Sequence, residues 1–74
     1  QELSIREHMS RILRRLAPGE FVEFKDLFPE ASTVHELVVT FLAVLELTKE
    51  TLLDVTQAEP FAPIYVRLHE SATE

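Results

Sequence analysis

The sequence contains no cysteine, no tryptophan and a single glycine. Without cysteine it has no disulfide staple and no thiolate zinc site. One glycine cannot build a glycine-rich phosphate cradle. No apolar run approaches the ~18 residues that cross a bilayer, and no segment reads as a signal peptide. Positive charge is also scarce: 7 Lys and Arg stand against 13 Asp and Glu, for a formal charge of −6 over 74 residues. Such a balance disfavours a nucleic-acid backbone as the main partner. What is present is an apolar fraction of 46%, enough for one thin core in a chain this short. We expect a single domain over 1–74, ordered over about 4–69. The first residue is Gln rather than Met, which points to a piece of a longer protein.

Ser4 and Glu7 have capping-box spacing, and Ile5, Met9, Ile12, Leu13 and Leu16 follow at helical period. Arg11, Arg14 and Arg15 fall on the opposite side with Arg6 at its flank, and Ala17-Pro18-Gly19 ends the helix. Glu20–Glu23 reads as a brief edge strand. Phe24–Phe28 reads as a short helix anchored by Leu27 and Phe28, closed by a turn at Ala31 and Ser32. Thr33 and Glu36 repeat the capping-box spacing before the longest helix. There, Val34, Leu37, Val38, Phe41, Leu42, Val44 and Leu45 share one broad arc, which we expect to face the core with Phe41 at its centre. The other arc carries His35, Glu36, Val39, Ala43, Glu46, Leu47 and Glu50. Its apolar line Val39, Ala43, Leu47 either packs on the short second helix or meets a partner.

After Glu50 the period falls to two. A hairpin pairing Gln57 with Ile64 sets Val55 opposite Val66, Leu53 opposite Leu68, and Asp54 opposite Arg67. Apolar meets apolar and charge meets countercharge, so this register is self-consistent. Ala58–Pro63 is the loop, because its prolines cannot donate to a ladder. The segment Ser71–Glu74 reads as frayed. Helices are thus expected over about 5–16, 24–28 and 33–49, and strands over about 52–57 and 64–68. That order is α+β, a winged helix: a three-helix helix-turn-helix core with a β-hairpin wing.

Nothing in the sequence organises catalysis. His8, His35 and His69 lie on three different elements without metal-ligand spacing, and no nucleophile–base arrangement stands out. No metal and no cofactor is expected. DNA reading by the longest helix is also disfavoured, since Thr33–Glu50 holds one base, Lys49, against three acids. The arginines of the first helix form either a phosphate contact or a solvated face. A winged-helix DNA-binding domain of a transcription regulator is the alternative function; protein docking is favoured. Phe61, held between Pro60 and Pro63, is either an anchor for a partner or a plug under the wing. Candidate partner-binding residues are Phe61, Ile64 and Tyr65 on the wing, with Val39 and Leu47 on the long helix. The outer strand of the wing offers a free edge to a partner.

Three stretches in combination carry a resemblance. They are Val38-Val39-Thr40-Phe41-Leu42-Ala43-Val44-Leu45-Glu46-Leu47, Gln57 at the end of its strand, and Glu59-Pro60-Phe61-Ala62-Pro63-Ile64. With Ser4-Ile5-Arg6-Glu7 and Phe24-x-x-Leu27-Phe28, the chain resembles the C-terminal winged-helix domain of the bacterial kleisins, the segregation and condensation protein A family. The resemblance implies a domain that docks on the ATPase head of a structural-maintenance-of-chromosomes (SMC) protein. It implies that other parts of the kleisin hold the second SMC neck and bind segregation and condensation protein B. The assembly would close a ring that condenses and segregates chromosomes, in the cytoplasm at the nucleoid. ATP would belong to the partner, and neither membrane nor sequence-specific DNA contact is implied. Two departures are Ala62, where the family often has Gly, and Glu50-Thr51, where no Gly closes the helix.

Overall fold

The Ser4 hydroxyl accepts from the Glu7 amide at 3.4 Å and starts α1, Ile5–Arg15. This is one half of the expected capping box. The structure, a computed structural model, describes residues 4–30 and 32–70. The expected turn residue Ala31 and the expected fraying of Ser71–Glu74 lie outside the described residues. Behind α1, Glu20 donates to the Ala17 carbonyl at 3.1 Å, with Pro18 second in the turn and Gly19 third at φ +77°. That is the residue pattern of a type II turn, in which only the third position demands a left-handed backbone. The turn leads into β1, Val22–Glu23, and a 3-10 helix, Phe24–Leu27.

Thr33 caps α2, Val34–Lys49, with both hydrogen bonds of the capping box formed. Its C-terminal end closes as a Schellman motif: Leu52 donates to the Leu47 carbonyl at 2.9 Å and Thr51 to that of Thr48 at 3.0 Å. The position normally given to glycine holds Thr51, at φ 64°. A β-branched residue is strained there. Thr51→Gly should therefore raise stability, by roughly 0.5–1 kcal/mol after the entropy cost of glycine. Urea titration of the two proteins checks this; a lower midpoint for the glycine variant would contradict it.

β2, Leu53–Gln57, and β3, Ile64–Leu68, pair in the expected register at all five positions. β1 adds to the other side of β3, with Val22 opposite Val66, so the antiparallel sheet runs β1-β3-β2. β3 is therefore the central strand. The two edge strands are β1 and β2, so Ile64 and Tyr65 are not on an edge strand.

The core is Ile12 and Leu16 of α1, Leu27, then Ala43, Val44 and Leu47 of α2, with Leu53 and Val66 from the sheet. This overturns the expected orientation of α2. Phe41 remains 46% exposed, whereas Val39 is 6% and Leu47 0% exposed. The physical reason lies in where the acids sit. Glu36 occupies the first turn, and Glu46 the last, so both reach water at the helix ends. Between them Ala43, fully buried, carries so little side chain that α1 closes onto this face. Among the described residues, the buried His8 Nε2 and Thr40 Oγ1 have no hydrogen-bond partner. The result is an α+β winged helix in which the 3-10 helix stands for the second helix.

Candidate docking surface

Turning α2 inward on the Val39–Leu47 side leaves its other arc in solvent. Val34, Leu37, Val38, Phe41, Leu42 and Leu45 are all exposed, a band of large apolar side chains along one helix. Phe41 and Leu45 then line a groove of about 270 Å³ that runs onto the sheet at Val55 and Ile64. Phe24 braces this groove, edge-on to Phe41 at 6.2 Å and to Phe28 at 5.0 Å. Scattered exposed apolar residues are ordinary, but a contiguous band of this kind marks a contact surface.

The wing loop adds an aromatic tip. Ala62 donates to the Glu59 carbonyl at 3.0 Å, with Pro60 second and Phe61 third at φ 71°. This repeats the turn at Ala17–Glu20, with phenylalanine in the place that glycine holds there. The Gln57 amide donates to the Ala62 carbonyl at 2.8 Å and fastens the loop to β2. Phe61 itself touches almost nothing: its relative exposure is 103%. It is therefore no plug under the wing.

The five sequence candidates do not form one site. Phe61 projects from the loop and Ile64 joins the groove beside Phe41. Tyr65, one residue on, lies on the opposite sheet face, over a second hollow shared with Phe21 and Thr56. Val39 and Leu47 are buried, Leu47 within the cluster of α1, α2 and the sheet, and no partner can reach them. Sequence reasoning missed Leu37, Val38, Phe41, Leu42 and Leu45 as surface. The signal was present as an apolar arc too wide for one buried stripe, covering the helix on both sides.

Away from the groove the sheet is charged. Asp54 lies 3.5 Å from the Arg67 guanidinium and 2.9 Å from His69 Nδ1, and Arg67 stacks over Phe21 at 5.2 Å. The hydrogen bond from His69, aided by the charges of His69 and Arg67, holds the Asp54 carboxyl below its ordinary range. A depressed carboxylate contributes stability above its unfolded value and loses it as pH falls through the folded one. Asp54→Asn should thus melt lower than the parent at pH 6, with the gap closing below about pH 4. A gap that widens on acidification would contradict this pairing.

Among the described residues no group of three or more His, Cys, Asp or Glu could hold a metal, and no helix is long and apolar enough to cross a membrane.

Over residues 1–69 the sequence matches the family model of "Segregation and condensation protein ScpA". It is similar to segregation and condensation protein A of Listeria monocytogenes serotype 4a (strain HCC23), 48% identical over 69 residues. That match covers 90% of this chain and 27% of the relative. The protein of the same name from Xylella fastidiosa (strain 9a5c) is 43% identical over 67 residues, covering 90% of this chain and 22% of the relative. The chain thus spans a minor part of the curated relatives it matches. Among solved structures it is similar to a chain in the "Crystal structure of the SmcHead bound to the C-winged helix domain of ScpA". The TM-score is 0.69 at 24% identity, with 88% of this chain and 99% of that one covered. At that identity the likeness is one of fold.

Proposed function

Because this chain belongs to the segregation and condensation protein A family, we propose that it is a non-catalytic docking module for the ATPase head of an SMC protein. The observation that carries the reading is the exposed apolar band of α2, continuous with the Phe41–Ile64 groove. A chain this small gains nothing for its own core from such a band, and pays a solubility cost for it. Anchors of this kind supply affinity when a partner closes over them. The complex between an SmcHead and a C-winged helix domain of the same fold supports the choice of partner.

In this reading the chain is the C-terminal domain of a longer kleisin. Phe61, Ile64 and the groove make the contact, and Tyr65, on the opposite sheet face, lies outside it. Contacts to a second SMC subunit and to segregation and condensation protein B belong to parts of the kleisin outside this chain. The setting is the cytoplasm, at the nucleoid, and the ATP is bound and hydrolysed by the partner. Sequence-specific DNA contact has no support, since α2 offers only Lys49, set between Glu46 and the C-cap Glu50. Co-elution with a purified SMC head tests the proposal. A 1:1 complex is expected; separate elution at concentrations where the head is folded would overturn it.

A further inference from the structure

The geometry points to a second docking site, on α1, which takes an acidic peptide segment bearing an apolar side chain. This site does not rest on the SMC reading, because it uses other residues. Four of the chain's 7 cations, Arg6, Arg11, Arg14 and Arg15, lie on α1 beside a single acid, Glu7. Cations in a last helical turn are explained by the helix dipole, which covers Arg14 and Arg15. Arg6 lies in the first turn, where the dipole disfavours it, and Arg11 lies in mid-helix, where the dipole does not account for it.

Arg11 and Arg15 stand one turn apart and wall a cleft of about 190 Å³. Its floor is apolar: Ile12, Leu27, Phe28 and Pro29. The space suits one side chain of leucine or phenylalanine size. Arg15 is already positioned, because its Nη1 donates to the Asp26 backbone carbonyl at 2.6 Å. A carbonyl orients the guanidinium without neutralising it. Among the described residues no carboxylate pairs with either arginine. A charged fork held in place loses less freedom on binding, and guanidinium matches a carboxylate with two parallel hydrogen bonds.

Charge complementarity then selects the occupant. An apolar floor flanked by arginines fits a peptide in which a carboxylate neighbours a large apolar side chain. A nucleic acid fits worse, since its phosphates have no use for the apolar floor.

The test is an amide NMR titration of this chain with the peptide acetyl-GEFDG-amide. We expect saturable shifts at Arg11, Ile12, Arg15, Leu27 and Phe28. The neutral peptide acetyl-GQFNG-amide should bind at least about tenfold more weakly. Combined Arg11→Gln and Arg15→Gln substitution should cause the same loss with a well-dispersed spectrum. If loss of the Asp26 bond unfolds that variant, Arg11→Gln alone carries the test, because Arg11 is exposed and among the described residues its side chain makes no hydrogen bond or ion pair. Absence of saturable shifts, equal binding of the neutral peptide, shifts confined to α2, or stronger shifts at these residues from a short DNA duplex would each overturn the proposal.

Discussion

Phe61→Ala should weaken binding to an SMC head at least about 30-fold while leaving the chain folded. Phe61 contributes nothing to its own core, being fully exposed at the third position of the Glu59–Ala62 turn. It also holds a left-handed backbone at φ 71°, which costs a non-glycine residue about 1 kcal/mol or more. A large aromatic kept in water in a strained turn makes sense only if something else covers it. Phe61→Gly sharpens the test. Glycine relaxes the turn, so this variant should melt no lower than the parent yet lose the same affinity. Ile64→Ala should also weaken binding, because Ile64 shares the groove with Phe41. Arg14→Ala, exposed on α1, is the control and should change affinity little. Parental affinity in the Phe61 variants together with loss in Arg14→Ala would move the contact to α1.

The largest effect on stability is expected at Leu47. Its side chain is 0% exposed, within a cluster formed by α1, α2 and the sheet. Leu47→Ala removes buried methyl groups from the middle of that cluster and should cost ~2–5 kcal/mol. A domain of this size holds only a few kcal/mol in total, so the variant should be largely unfolded at 25 °C. Phe41→Ala is the contrast. With Phe41 nearly half exposed, the loss should be about 1 kcal/mol, and the variant should melt as a cooperative unit. Urea titration of both proteins decides it. An unfolded Phe41→Ala beside a stable Leu47→Ala would mean that α2 turns its other arc inward.

The same pair of residues shows where the sequence was informative and where it was not. The hairpin register was legible because charge and apolarity alternate on both strands, so a one-residue slip would bury Asp54 and Arg67. The helix starts were legible because Ser4 and Thr33 precede their glutamates at capping spacing. The inward face of α2 was not, because its apolar line Val39, Ala43, Leu47 shares an arc with acids, so periodicity favours the more uniformly apolar arc that stays in solvent. What decides between them is packing: Ala43 admits α1 at close range, and the acids on that side sit at the helix ends. For the candidate site, the wing aromatic was legible as an oddity, but whether it lies in solvent or under the wing depends on the course of the Glu59–Ala62 turn, which the sequence does not specify. Ile64 and Tyr65 followed in sequence and looked like one site, although adjacent strand residues point to opposite faces. The surface band of α2 stayed hidden for the same reason that its core face did.

The most direct measurement is NMR cross-saturation from an SMC head to the methyl groups of this chain, deuterated, in their complex. Methyl signals of Val38, Leu42, Leu45 and Ile64 should lose intensity, while those of Leu13 on α1 keep theirs. Intensity lost on α1 and retained along α2 and the wing, in a complex that forms 1:1, would contradict docking through the apolar band.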